Sequence, residues 1–436
     1  MQKIWMISAI TATLIYAQEM TLEEELASQK TTPAVTQNDY MPNISLVLDA
    51  SYMNESLDSD TEHVEIPSFI EGGSDDEHAH TPLVGNDGFN LNYAELVMSA
   101  SVDNYFNLVG VFHITEDFVE IEEGYVVTTA LPYHLRAKVG KFRSDFGYLS
   151  NKHEHAYSFQ KLPLIYNALL GDHAINEEGV QLQYVFPTDV YTMAGAELLR
   201  GENEQSYGVE GFTVPDLTEV EDVSQPSLVV GYLKTSFDIG GSTILGGVSI
   251  AKGDSRMNHL GDVHAEHEEE EEGAHAFAGE TTIYGVDLVY KNYFSATRSI
   301  TWQSEYLYRE MDGTKYSEVE EGVWGTSALN KKQAGFYSQL VYQHDRNIKT
   351  GVRYSGITQN DITANTSSIP ATDDIYTISA MAEYNFSEFS RVRLQYNHDA
   401  SLYTEDHITE NLIKNNKDEF IVQFTYAIGA HGAHAF

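Results

Sequence analysis

Three stretches of the chain set imidazole beside carboxylate. The first is Ser74-Asp75-Asp76-Glu77-His78-Ala79-His80, and the second is Asn151-Lys152-His153-Glu154-His155. In the third, Asp262, His264, Glu266 and His267 lead into a glutamate run from Glu268 to Glu272, and His275 follows. Histidine nitrogen together with carboxylate oxygen suits Zn²⁺ and related divalent ions. His78, His80, His153, His155, His264, Glu266, His267, Glu268 and His275 are therefore the candidate metal ligands. Flexible chain of this kind would hold Zn²⁺ weakly and reversibly at outer loops, and no cofactor is required. The same composition also describes a solvated low-complexity loop that keeps a surface acidic. Both readings stand at this point.

Catalysis finds little support. The chain contains no HExxH, no GxSxG and no Walker loop. A His-Glu-His run on a mobile loop lacks the fixed orientation that general acid–base work needs.

Composition narrows the class. Among 436 residues, Lys and Arg number 25 against 66 Asp and Glu, for a net charge of −41. A chain this acidic repels a phosphate backbone, which argues against nucleic acid, and it attracts cations. With no cysteine there is neither a disulfide frame nor a thiolate metal site. Tyrosine (28) and phenylalanine (19) greatly outnumber tryptophan (3), a composition suited to sheet with aromatic girdles.

The elements that must position the candidate residues follow from periodicity. Lys3, an apolar run from Ile4 to Tyr16 and the small Ala17 mark residues 1–17 as a signal peptide. Residues 18–42 form a polar, acidic periplasmic N-terminal segment, and 43–436 form the barrel described next. No later stretch approaches eighteen apolar residues, so no transmembrane helix is expected. From Ile44 the pattern has period two. Ile44, Leu46, Leu48, Ala50 and Tyr52 alternate with Ser45, Asp49 and Ser51, and Val180, Leu182, Tyr184 and Phe186 alternate with Gln181 and Gln183. Ile300, Trp302, Tyr306 and Tyr308 alternate likewise with Thr301, Gln303, Glu305 and Arg309.

A soluble sandwich alternates too, and three features decide against it. Segments run about ten residues, the length a tilted strand needs to cross a bilayer. Connections alternate short and long. The sequence also ends in Phe436 after Phe420, Val422, Phe424, Tyr426 and Ile428, an aromatic terminus of the kind read by the barrel assembly machinery. The expectation is an all-β transmembrane antiparallel barrel of about sixteen strands in a bacterial outer membrane, facing lipid and lipopolysaccharide. The strands fall near 43–53, 89–102, 105–115, 119–130, 134–142, 178–187, 190–200, 227–237, 241–253, 281–291, 298–309, 332–344, 347–358, 373–386, 390–398 and 419–435. Long outer loops fill the gaps at 54–88, 143–177, 201–226, 254–280, 310–331, 359–372 and 399–418. Trimers are common for barrels of this size, so a homotrimer is one expected assembly, although no residue marks an interface.

Strand parity turns Arg136, Lys138, Lys349, Arg353, Arg391 and Arg393 inward, with Arg309 near an outer end and Asp49, Glu95, Glu122 and Glu305 among their neighbours. The loop 143–177 carries Asp145, Glu154 and Asp172 and sits where general porins fold a loop into the channel. Arg136, Lys138, Arg353, Arg391, Arg393, Asp145 and Glu154 are thus the candidate pore-lining set. A basic wall facing an acidic loop makes a transverse field that sets ion selectivity. Alternatively, these charges pair in a wet interior and filter little. Lys141-Phe142-Arg143 is placed to tether the loop or to bind anions.

Several stretches resemble a family of proteobacterial outer-membrane proteins labelled zinc-regulated TonB-dependent outer membrane receptors. They are Ile44-Ser45-Leu46-Val47-Leu48-Asp49, Gly88-Phe89-Asn90-Leu91-Asn92-Tyr93-Ala94-Glu95-Leu96, Val139-Gly140-Lys141-Phe142-Arg143-Ser144-Asp145-Phe146-Gly147, the Asn151–His155 run and Gly429-Ala430-His431-Gly432-Ala433-His434. The resemblance implies a porin-like barrel, His-rich outer loops and an association with zinc supply. A TonB-dependent receptor has 22 strands and a plug, and a plug of roughly 150 residues does not fit in residues 18–42. Passive diffusion is therefore the expectation. Phosphate-selective porins are a more distant resemblance, through barrel size and basic lumen. The functional expectation is a porin-type channel for small hydrophilic solutes or ions, with outer loops that capture Zn²⁺. An anion-selective porin and a non-conducting surface barrel for metal binding or adhesion are the alternatives.

Overall fold

The computed structural model describes residues 42–57, 64–65, 87–115, 118–203, 205–260, 274–320, 322–369, 374–406 and 411–429. Sixteen long strands make the wall: β1 Asn43–Glu55, β2 Gly88–Ser101, β3 Phe106–Ile114, β4 Val119–Thr128, β5 Leu135–Arg143, β6 Asn176–Val185, β7 Tyr191–Leu199 and β8 Leu228–Ile239. The second half is β9 Ser242–His259, β10 His275–Ser295, β11 Arg298–Glu320, β12 Val323–Gln343, β13 Ile348–Ala364, β14 Tyr376–Ser387, β15 Ser390–Asp406 and β16 Asn411–Gly429. Each pairs antiparallel with the next, and β1 pairs with β16 from Ser45↔Gly429 to Glu55↔Glu419. The sheet is closed, as the sequence reading expected, and every wall strand has two partners.

Alternation decides which way each side chain points. On β1, Ser45, Val47, Asp49, Ser51 and Met53 are buried inward, while Ile44, Leu48 and Tyr52 face out. On β6, Gln181 and Gln183 face in, and Val180 and Leu182 face out. The outer face thus carries a belt of Val, Leu, Ile, Tyr and Trp side chains all round. Hydrocarbon is the solvent that such a belt requires, and a closed barrel leaves no backbone group unpaired in it. The chain is an outer-membrane β-barrel. At the end with short turns, Tyr105, Tyr133, Phe186, Phe237, Phe294, Phe386 and Phe389 are exposed together as an aromatic girdle. Aspartates fix those turns: Asp103 accepts from the Tyr105 and Phe106 amides at 2.7 and 3.0 Å, and Asp345 from those of Asn347 and Ile348 at 2.8 and 2.9 Å.

The extents of the outer loops differ from those expected. Among the described residues, those expected as loops at 254–280, 310–331 and 399–418 are mostly strand, since β9 reaches His259, β10 begins at His275, β11 extends to Glu320, β12 begins at Val323, β15 reaches Asp406 and β16 begins at Asn411. Above the bilayer the outer face turns polar, so the alternation weakens there although Phe277, Met311, Leu329 and Ile362 stay buried on the inner face. Lys332 and Glu310 pair at 3.3 Å in that region, and Lys252 and Glu280 at 2.9 Å. The sixteen strands agree with the expected number and give no support to the TonB-dependent part of the resembled family's label, whose barrels have 22. The signal peptide, residues 18–41 and Phe436 lie outside the described residues.

Candidate functional site

The lumen is crossed by residues 144–175, the long connection between β5 and β6. At its centre lies a short helix, α1 (Leu164–Leu170). Pro163 stands at its N-cap, and Gly171, with φ of 70°, ends it. Leu164, Ile165, Tyr166, Ala168, Leu169 and Leu170 are all buried and Asn167 alone is polar and half-buried, so this helix must be enclosed on nearly every side. Inward-facing Ile283, Leu307 and Tyr337, together with Phe142 and Phe146, form its seat. Its last carbonyls are satisfied from another outer connection: Asn203 Nδ2 donates to Leu170 O at 2.7 Å and Ser206 Oγ to Leu169 O at 2.5 Å.

Polar bonds tie the rest of the loop to walls on opposite sides. Ser144 Oγ and the Asp145 amide donate to Glu197 of β7 at 2.5 and 3.0 Å. Lys234 of β8 donates to Gly147 O at 2.6 Å, and the Gly147 amide to Ser249 Oγ of β9 at 3.0 Å. On β11, Glu305 accepts from the Tyr148 amide at 2.8 Å and Tyr166 Oη at 2.7 Å, and also from Tyr337. Across the lumen, Arg353 donates to Lys161 O, Arg391 to His155 O and Arg393 to Tyr157 O, each at 2.7–2.8 Å. Lys161 Nζ meets Glu419 of β16 at 3.0 Å. Arg353, Arg391 and Arg393 therefore face the lumen and each give a donor to loop backbone, while Arg393 also donates to Glu383 and Gln423 and Arg391 to Thr425 on the wall. Arg136 and Lys138 lie lower on β5; Arg136 is exposed, and the Lys138 ammonium sits 4.8 Å over the Tyr125 ring.

Asp145 and Glu154, the acidic members of the candidate pore set, are buried rather than presented to an open passage. Asp145 accepts from Asn151, Gln181 and Gln183 at 2.5, 2.9 and 2.7 Å. Burial pushes its carboxyl up, but Lys234, Lys138 and the Asn151 amide outweigh this and hold it below the usual range. Burial, with Lys234 nearby, lowers the loop's Lys152 to about 8.

The densest charge lies where the turn Glu154–Ala156 meets β2, β3 and β4. Glu95 and His113 face each other across the β2–β3 ladder. On β4 the register shifts so that Val111 opposes Glu123 and Phe112 opposes Ile121, which leaves Glu122 as the extra residue of a bulge. Without the bulge, adjacent residues would point to opposite faces; with it, Glu122 and Glu123 are both buried inward. Glu154 descends from the loop to complete the group. His113 Nε2 lies 3.0 Å from Glu122 Oε2, 3.5 Å from Glu95 Oε2 and 3.7 Å from Glu154 Oε2. Arg143 closes one side, donating to Glu122 Oε1 through Nε at 2.8 Å and to Glu154 Oε1 through Nη2 at 2.5 Å. His153 Nε2 lies 3.0 Å from Glu123, and His155 Nδ1 lies 3.1 Å from Glu95.

Of the candidate metal ligands, His153 and His155 enter this cluster. His275 lies elsewhere, opposite His259 at the outer end of the β9–β10 ladder with ring centroids 5.2 Å apart. His78, His80, His264, Glu266, His267 and Glu268 lie outside the described residues. His113 stands apart from any cluster of His and carboxylate in the sequence, and strand parity marks Glu95 and Glu122 only as inward charges.

No family model matches the sequence. It is 43% identical over 415 residues to an uncharacterized protein of Aquifex aeolicus (strain VF5), across 95% of this chain and 84% of that protein. The two belong to one family. Among solved structures, the fold is similar to OmpT, an outer membrane protein of Vibrio cholerae, at 11% identity and a TM-score of 0.48, over 89% of this chain and 97% of that one. It is also similar to the outer membrane channel DcaP of Acinetobacter baumannii, at 10% identity and a TM-score of 0.46, over 91% and 100%.

Proposed function

We propose that the chain is a porin-type outer-membrane channel for passive diffusion of small hydrophilic solutes or ions, narrowed by the loop 144–175. The observation that carries this reading is a closed barrel with a polar inner wall, crossed by one loop that is fastened to opposite sides. Exposed Arg136, together with Lys349, Arg391 and Arg393 gathered around the single carboxylate of Glu383 at 3.3, 3.7 and 2.9 Å, leaves positive charge on the lumen wall, which favours a mild anion preference.

The same fastening favours a second reading, a barrel whose loop seals it and whose role is binding. Planar-bilayer recordings of the refolded protein in a KCl gradient separate the two, alongside a variant with residues 148–172 replaced by a short Gly-Ser linker. The channel reading expects small conductance steps from the intact chain and larger ones from the variant, with a reversal potential of anion sign. Silence from the intact chain with a conducting variant establishes the sealed barrel. Silence from both, with folding shown by heat-modifiable gel mobility, sinks the channel.

A further inference from the structure

We propose that Glu95, His113, Glu122 and Glu154 form a binding site for a single divalent transition-metal ion that staples the lumen loop to β2, β3 and β4. The donor atoms of these four side chains all lie within 4.8 Å of one another. His113, Glu95 and Glu122 are at most 2% exposed, and Glu154 is 4% exposed. Around an ion with bonds of about 2.1 Å, tetrahedral donors stand about 3.4 Å apart. The 3.0, 3.5 and 3.7 Å from His113 Nε2 to the three carboxylate oxygens match that spacing.

Direction supports distance. His113 Nε2, Glu122 Oε2 and Glu154 Oε2 are fully buried, yet none makes a hydrogen bond. Three buried polar atoms left this way are costly unless something between them accepts their lone pairs. They lie close enough together for one ion to reach all of them. Their outer partners are arranged as around a metal: Arg143 holds the far oxygen, Oε1, of both Glu122 and Glu154, which leaves Oε2 of each turned inward. His153 repeats the pattern as a fifth donor. Its Nε2 meets Glu123 at 3.0 Å, and its Nδ1, without a hydrogen bond, lies 3.3 Å from Glu122 Oε2 and 3.4 Å from Glu95 Oε2.

Charge and donor type select the ion. The three ligand carboxylates, the Arg143 cation and a dipositive ion sum to neutrality with His113 neutral, while the fourth buried carboxylate, Glu123, is held by His153 and the Arg143 amide. Imidazole with carboxylates and no thiolate suits Zn²⁺, Mn²⁺ or Fe²⁺ rather than a soft ion. The proposal goes beyond the channel reading and holds whether or not the barrel conducts.

The test uses the full refolded barrel, with Zn²⁺ and Mn²⁺ as probes. Glu95→Gln and His113→Gln should each remove one equivalent of bound ion and weaken that site at least tenfold. The triple variant His264→Asn, His267→Asn, His275→Asn should keep it. Equal stoichiometry and affinity in all three overturns the proposal. Should the substituted barrels fail to fold, anomalous diffraction from Zn²⁺-soaked crystals of the unaltered protein decides. A peak about 2 Å from His113 Nε2 supports the site, and a density map with no peak among these side chains overturns it.

Discussion

Replacing Arg143 with methionine tests what holds the lumen loop in place. Arg143 is 1% exposed, and its guanidinium bonds Glu122, Glu154 and, at 3.4 Å, the His173 carbonyl. Methionine fills similar space without the charge and leaves two buried carboxylates facing each other. Removing one partner of a buried ion pair costs about 3–5 kcal/mol. The apolar seat opposes release: Ile165, Tyr166, Leu169 and Leu170 are at most 1% exposed. At about 1.5–3 kcal/mol for each buried large side chain, these four hold α1 by roughly 6–12 kcal/mol. The seat wins over the pair at the helix and loses locally at the Glu154 turn. Arg143→Met should thus free the segment around 150–157 while α1 stays docked.

Because the chain has no native cysteine, single reporters are clean. Ser150→Cys is nearly isosteric at a fully buried position, and Ala168→Cys sits inside α1 at 1% exposure. In EDTA, with no cation to replace the guanidinium, Arg143→Met should raise the maleimide labelling rate at Ser150→Cys by roughly 100- to several-thousand-fold, at 1.4 kcal/mol per decade. The rate at Ala168→Cys should change no more than about threefold, the scale of a few tenths of a kcal/mol. Equal acceleration at both sites would show that the ion pair, rather than the apolar seat, holds the whole loop. No acceleration at either would refute the energetic ranking altogether.

Gly147 has φ of +61°, and a Cβ there would meet Tyr166 Oη at 2.5 Å and Glu305 Oε2 at 2.6 Å; Gly147→Ala should lower the thermal midpoint of the heat-modifiable transition and raise conductance, and an unchanged protein would contradict the packing. Glu305→Leu leaves the Tyr148 amide and the Tyr166 and Tyr337 hydroxyls without their acceptor, so stability should fall by about 2–5 kcal/mol in urea titration. Cutting the β11–β12 hairpin back to the Met311↔Lys331 pair with an Asn-Gly turn should leave insertion into liposomes and channel size intact. Failure to insert would show that the ladder above the bilayer takes part in assembly.

Sequence reasoning reached the barrel because lipid enforces strict alternation, visible in Ile44–Tyr52 and Val180–Phe186. It lost the upper halves of β10, β11 and β12, where Glu310, Asp312 and Lys315 lie on strands facing water. Pro163 followed by Leu164-Ile165-Tyr166 and Ala168-Leu169-Leu170 is a readable signal for α1, which an expected loop over 143–177 leaves out. His153, Glu154 and His155 stood out by composition. His113 did not, for a reason of register: a turn centred on 103–104 sets Glu95 against Phe112, whereas the actual ladder sets it against His113. A one-residue slip exchanges the two faces of a strand. Nor did anything in the residue types announce the bulge that turns Glu122 and Glu123 the same way.

The seam where β1 meets β16 has a consequence for how the protein is made. Ser45 and Gly429 come from opposite ends of the chain, so the wall cannot shut until the ribosome has delivered almost all of it. Contacts between such distant positions form slowly, because chain entropy must be lost before they contribute. Meanwhile the strand edges and the apolar belt have no shelter and are prone to aggregate. A net charge of −41 then acts during transit rather than in the finished barrel, since like-charged unfolded chains keep one another apart. On this view the acid content that reads as a surface property is also a provision for the journey.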